Sequence, residues 1–175
     1  MPDRTLILGG ARSGKSLAAE RLLADVPDVL YVATGGDDAG SAEWADRVAK
    51  HQARRPPTWG LIETIDLIPL LESPGPPLLV DCLTLWLSRT MDAHDTWSDL
   101  TRSPAIDQAI ADLAAAWSAT PRRTVAVSND IGAGVVPADP GTRLFRDLMG
   151  RLNTAISLTS TTALYTIAGR TLPLT

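Results

Sequence analysis

One short segment constrains this chain more than any other: Gly9-Gly10-Ala11-Arg12-Ser13-Gly14-Lys15-Ser16. It fits G-x-x-x-x-G-K-[ST]. It follows an apolar run, Arg4 to Leu8, and leads into Lys15 to Leu23, where Leu17, Ala18, Arg21 and Leu22 recur at helical spacing. Strand, glycine turn and helix in that order are the context a phosphate-binding loop requires. Glycines let the backbone fold so that successive N–H groups converge, and the helix N-terminus adds partial positive charge. Lys15 then reaches outer phosphates as a point charge, its side chain expected in solvent or on phosphate rather than in the core. Ser16 supplies a hydroxyl to Mg2+. The chain has fourteen arginines and only two lysines, Lys15 and Lys50. A lysine kept in such a chain fits a slot too narrow for a planar guanidinium.

The rest of the chain alternates strand-like and helix-like segments. Val29 to Ala33, Leu61 to Thr64, Leu78 to Asp81, Thr124 to Ser128 and Ala163 to Ile167 read as further strands, and Arg170 to Thr175 as a seventh. Helices are expected from Ser41 to about Arg54, over Leu67 to Leu71 behind Asp66, from Leu83 to Met91, from Pro104 to Ala119, and from Thr142 onward. In the last of these Leu144, Phe145, Leu148, Leu152 and Ile156 share a face. Strands alternating with helices imply a mostly parallel sheet covered on both faces. The expected fold class is therefore α/β, P-loop NTPase-type and RecA-like, with residues 1–175 as a single domain. A chain of 175 residues buries roughly 70% of its unfolded surface without a staple. One cysteine, Cys82, excludes an internal disulfide. A net charge of −4 without blocks of like charge argues against a nucleic-acid partner, and no apolar run is long enough for a membrane span. With no signal-peptide pattern at the start, the expected location is the cytoplasm.

Two further sites stand out. Asp81, ending the run PLLVD, is placed to hold Mg2+ from the end of a strand neighbouring that of the loop, or else to cap the helix at Leu83. On the Ser41–Arg54 segment, Trp44, Val48 and His51 share one face beside a basic stripe of Arg47, Lys50 and Arg54. A histidine there is either a half-buried structural side chain or a nucleophile whose phosphoryl group the cations would neutralise. His94, in a polar loop, reads as a surface residue.

The segments LILGGARSGKS, VLYVAT, RVAKHQARRPPTW with IET, LLVDCLT, VAVSNDIGAGVVP and FRDLMGRLN, in that order, resemble the bifunctional adenosylcobinamide kinase/adenosylcobinamide-phosphate guanylyltransferase family. The resemblance implies phosphorylation of adenosylcobinamide with ATP or GTP. GMP then passes from GTP to adenosylcobinamide phosphate through a guanylyl-histidine on His51. It implies nucleotide binding by Gly9, Gly10, Ala11, Arg12, Ser13, Gly14, Lys15 and Ser16, and by Thr34, Gly35, Gln52, Ala53, Arg54, Arg55, Glu63 and Asp81. Lys15 joins His51 as catalytic, and Ser16 with Asp81 holds Mg2+ through the nucleotide. A homo-oligomer, a trimer, is also implied. Asn129, Asp130, Gly132 and Gly134 fall in a family-like segment with no role assigned. For Arg146, Asp147, Arg151 and Asn153 structural pairing is expected. Some family members have two adjacent histidines, whereas Lys50 precedes His51 here. Two other readings fit the loop alone: a small-molecule kinase without guanylyl transfer, and a nucleotide-driven regulatory ATPase.

Overall fold

A computed structural model describes residues 2–35 and 56–174. The helix expected from Ser41 to Arg54, with His51 and its basic stripe, lies outside the described residues.

Seven strands form one sheet: β1 (Arg4–Gly9), β2 (Leu30–Ala33), β3 (Gly60–Glu63), β4 (Leu78–Asp81), β5 (Thr124–Asn129), β6 (Thr162–Ile167) and β7 (Arg170–Pro173). Their order is β3-β2-β4-β5-β1-β6-β7. All neighbours are parallel except β6 and β7, an antiparallel hairpin closed by Ala168 (φ 50°) and Gly169 (φ 75°). Positive φ at both turn residues is what a two-residue hairpin needs to follow the strands' twist. Among the described residues five α-helices accompany the sheet: α1 (Lys15–Leu22), α2 (Ile68–Glu72), α3 (Leu83–Ala93), α4 (Ser103–Ala119) and α5 (Pro140–Thr159).

The strands are apolar at successive positions because both faces are covered. Leu6, Val32, Leu78, Val80 and Ala126 pack against α2 to α5, meeting Leu83, Leu87, Ile106, Leu113, Trp117, Leu148, Leu152 and Ile156. Their alternates Ile7, Tyr31, Leu79, Val125 and Val127 face the other way, against Ala19 of α1 and Leu23 beyond its end. The α/β, P-loop NTPase-type expectation is met, with helices on both faces.

Three local expectations are corrected. The N-cap of α5 is Asp139, not Thr142. Pro140 has no N–H to donate and a φ already suited to the first helical position. That leaves the Asp139 carboxylate to accept from the Thr142 amide at 2.7 Å. The N-cap of α2 is Leu67 with no side-chain cap, while the Asp66 amide donates to Thr64 Oγ1. Finally, β4 does not neighbour β1, because β5 lies between them.

Candidate active site

The phosphate-loop segment leaves the carboxyl end of β1 and enters α1 through Gly14, whose φ of 98° disfavours any side chain. As the N-cap, Gly14 has no side chain to occupy the first-turn amides, so these point toward the loop. At Gly9 the constraint is space rather than φ. A Cβ there would stand 2.5 Å from the Thr166 carbonyl oxygen and 2.6 Å from Ser13 Oγ. Backbone bonds close the loop on itself and tie it to two other segments. Ser13 N–H donates to Gly10 O (3.3 Å), Gly169 N–H to Ser13 O (3.0 Å), and Asp130 N–H to Gly9 O (3.2 Å).

Lys15 is 5% exposed, and its Nζ donates to Gly10 O at 3.0 Å. Of the two environments expected for it, solvent or phosphate, solvent is corrected, because the short loop folds over its own ammonium. Ser13 Oγ is buried without a partner among the described residues. A buried, unpartnered hydroxyl in a glycine-rich loop at a helix N-terminus matches an anion's oxygen atoms.

The other expected positions line the same carboxyl edge of the sheet. Gly9 is in register with Asn129, Val127 with Asp81, and Ala33 with both Asp81 and Glu63. Ligands of open α/β sheets bind along this edge. Asp81 Oδ2 accepts from the Tyr31 hydroxyl at 2.7 Å. The N-cap of α3 is Cys82 rather than Asp81, and the Cys82 side chain makes no capping bond. Thr34 is fully buried: its hydroxyl donates to Cys82 O (2.6 Å) and accepts from Cys82 N–H (2.9 Å). That hydroxyl fixes the edge between β2 and β4, and Arg89 of α3 donates to the Thr34 carbonyl. Gly35 follows at the edge, while Glu63 is exposed at the end of β3. Burial, then the nearby Asp81 charge, pushes the Cys82 thiol up to about 11.

At the end of β5, sequence reasoning assigned no roles, and the structure shows a connected polar group. Asn129 donates through its N–H (2.9 Å) and Nδ2 (3.0 Å) to Thr84 Oγ1 of α3. Asn153 of α5 donates to Asn129 O and accepts from Ser128 Oγ. Asp130 accepts from Gly132 N–H at 3.1 Å and from the Tyr165 hydroxyl at 3.1 Å. That hydrogen bond and the carboxylate charge raise the Tyr165 phenol above its ordinary range. Arg146 donates to the Gly132 carbonyl, pinning the turn to α5. Arg151 pairs with Asp107 at 2.8 Å, the structural role expected of it. Tyr31 and Tyr165 gave no signal in the sequence beyond strand propensity, because their partners depend on which strands become neighbours.

His51 and Gln52 to Arg55 lie outside the described residues. His94 is exposed just beyond α3, as expected. A groove of about 720 Å³ lined by Val26, Val29, Leu30, Pro76 and Pro77 sits at the opposite, amino edge of the sheet, away from the loop. Among the described residues no helix is long and apolar enough to cross a membrane.

Comparison with known proteins covers nearly the whole chain. The bifunctional adenosylcobalamin biosynthesis protein CobP of Pseudomonas aeruginosa is 40% identical over 98% of this chain and 96% of that protein. The corresponding CobU proteins of Salmonella typhimurium and Escherichia coli are 38% and 33% identical, over 85% and 94% of this chain and 86% and 95% of theirs. The P4 protein of bacteriophage phi6 in complex with ADP overlays at a TM-score of 0.44 and 20% identity, across 97% of this chain and 54% of that one, too loosely to carry an argument. Residues 5–174, from the first strand through the phosphate loop to the terminal hairpin, match one family throughout: the chain belongs to the cobinamide kinase / cobinamide phosphate guanyltransferase family.

Proposed function

We propose that this chain phosphorylates adenosylcobinamide with ATP or GTP, then transfers GMP from GTP to adenosylcobinamide phosphate, giving adenosylcobinamide-GDP. The observation that carries this reading is the end-to-end match to bifunctional relatives. In the first half-reaction the loop amides from Gly9 to Ser16 hold the nucleotide phosphates. Lys15, already directed at the loop interior by its bond to Gly10 O, neutralises charge shifting to the leaving oxygen. In the second, His51 attacks the α-phosphorus of GTP, pyrophosphate leaves, and the GMP-histidine is then attacked by the substrate's phosphate. Gly35, Gln52 to Arg55 and Glu63 are assigned to nucleotide binding, and Thr34 to holding the sheet edge beside the nucleotide, since its hydroxyl is committed to Cys82 and its backbone to Asp81 O and Arg89.

The residues fit Mg2+. Ser16 and Asp81 offer a hydroxyl and a carboxylate, the oxygen donors this ion takes together with phosphates. Asp81 stands on the same sheet edge as the loop. Bound there, the ion supplies charge neutralisation of the β- and γ-phosphates. The active form is assigned as a homo-oligomer, a trimer, in the cytoplasm.

Mass spectrometry after incubation with Mg-GTP tests the scheme. The expected product is one GMP on the peptide containing His51, acid-labile and stable in base, as a phosphoramidate is. His51→Ala is expected to keep adenosylcobinamide phosphorylation and to lose GMP labelling and adenosylcobinamide-GDP. Lys15→Ala is expected to lower both activities by about 10²–10³-fold, the cost of removing one transition-state donor. Labelling on Lys50, or full guanylyl transfer by His51→Ala, sinks the histidine mechanism. Asp81→Asn is expected to raise the Mg2+ needed for half-maximal turnover with Tm nearly unchanged. A large fall in Tm with normal turnover per folded molecule would make Asp81 structural.

A further inference from the structure

The phosphoryl-transfer half of this reaction needs a group to take the proton of the substrate alcohol, and nothing above supplies one. Among the described carboxylates, Asp81 stands two strands from the phosphate loop with its Oδ2 on Tyr31, and Glu63 lies farther out on β3. Asp99, Asp107 and Asp139 are engaged in caps or ion pairs remote from the loop. Asp130 differs from all of these. Its own amide donates to Gly9 O, so its backbone is fixed where β1 gives way to the loop. Its Oδ2 accepts from Tyr165 on β6 while its backbone leaves β5, and β1 lies between those two strands. The carboxylate–phenol pair therefore straddles the carboxyl end of the phosphate-loop strand. Both hydrogen bonds to the carboxylate come from neutral donors, Tyr165 Oη and Gly132 N–H, and no described cation pairs with it. Arg146 holds the Gly132 carbonyl, which pins this turn to α5.

Resting on the kinase reading above, we propose that Asp130 is the general base of the phosphoryl-transfer step. Its carboxylate takes the proton of the substrate hydroxyl as the hydroxyl oxygen bonds to the γ-phosphorus. The bond from that phosphorus to the β,γ-bridging oxygen breaks, and its electron pair leaves with the nucleoside diphosphate. Asp130 then returns the proton to water. Tyr165, held protonated by the same carboxylate, positions it. The second half-reaction needs no such base, because a phosphate monoester with a second pKa of about 6 already attacks as the dianion.

The two half-reactions can be assayed separately: adenosylcobinamide with Mg-ATP, and adenosylcobinamide phosphate with Mg-GTP. For Asp130→Asn the expected result is a fall in phosphorylation kcat of about 10²–10⁴-fold, the range of a lost general base. The KM for ATP should be unchanged, and the acid limb of the phosphorylation pH profile should disappear. GMP-histidine formation and guanylyl transfer should continue at wild-type rates. Asp130→Glu should restore part of the phosphorylation and its acid limb. Comparable loss of both activities, recovery of Asp130→Asn by excess Mg2+, or a wild-type pH profile in that variant would each overturn the proposal. If Asp130→Asn folds poorly, Asp130→Ala decides: a phosphorylation acid limb identical to wild type, with unchanged kcat per folded molecule, overturns it as well. Failure of the underlying kinase reading is distinguishable, since the wild-type protein would then not phosphorylate adenosylcobinamide at all.

Discussion

Cys82 follows Asp81 directly, is 6% exposed, and carries its thiol among Ile7, Leu79 and Val127 at the end of a strand. With its pKa raised from 9.0 to about 11, the thiol stays protonated in the folded protein where an exposed one would ionise. Native protein at pH 8 is expected to resist iodoacetamide and to react only when unfolded. Alkylation followed by mass spectrometry, with and without denaturant, checks this, and prompt native labelling would contradict the burial. The stability sign follows from the same shift. The folded-state pKa is raised, so the contribution is fully present below pH 9 and is lost between 9 and about 11, as the unfolded chain releases its proton first. Nothing in LLVDCLT distinguishes this cysteine from a reactive one. Its inertness comes from Thr34 binding its backbone on both sides and from the two-faced core around it.

Helix α5 shows how an element depends on its first turn. Asp139 Oδ1 accepts from both the amide and the hydroxyl of Thr142, each at 2.7 Å, and these bonds lower its carboxyl pKa below the ordinary 3.8. A depressed folded-state pKa contributes stability above the unfolded value and loses it as pH falls through the folded value. Asp139→Ala is therefore expected to lower Tm by about 2–4 °C at pH 6, the usual size of a lost cap in a chain this long. That difference should close below pH 4. Thermal melts at pH 6 and pH 3 check it, with Asp139→Asn, which keeps the acceptor, falling in between. Element types were largely legible from period and punctuation: every strand expected within the described residues is present. Helix starts were less so. Asp139 and Thr142 are both good caps, and Pro140 at the first helical position is the feature that decides between them.

Across the whole molecule, the candidate site at the carboxyl edge stands on two cores that share one sheet, with α1 on one face and α2 to α5 on the other. Leu152 of α5 is fully buried in the larger core, on the same helix as Asn153, which braces the end of β5. Leu152→Ala is expected to cost about 2–5 kcal/mol through lost burial and a residual cavity. Urea unfolding should show a lower midpoint with unchanged slope. A loss well under this range would mean that α5 can shift to fill the gap, and such a shift should also disturb the Asn153–Asn129 contact.

The strand–turn–helix form around Gly9 to Ser16 was legible in the sequence because it is local, whereas the burial of Lys15 and the bonds to Gly169 and Asp130 were not. A strand, two glycines at Gly9 and Gly14, and Lys15-Ser16 opening a helix need only neighbouring residues to define their geometry. The alternation of strands with helices likewise specified a parallel, two-faced sheet, since one chain can cover both faces only through crossovers. Strand order is different, because pairing joins segments far apart in the chain and no local pattern names the partner. The tertiary structure alone placed β5 between β1 and β4, and so brought Asp130, rather than Asp81, to the side of Gly9. It alone set Tyr165 across β1 from Asp130 and Tyr31 against Asp81. Asp130 and Tyr165 leave strands that flank β1, and they meet only once that strand is in place between them, while Tyr31 and Asp81 need β2 and β4 to pair directly.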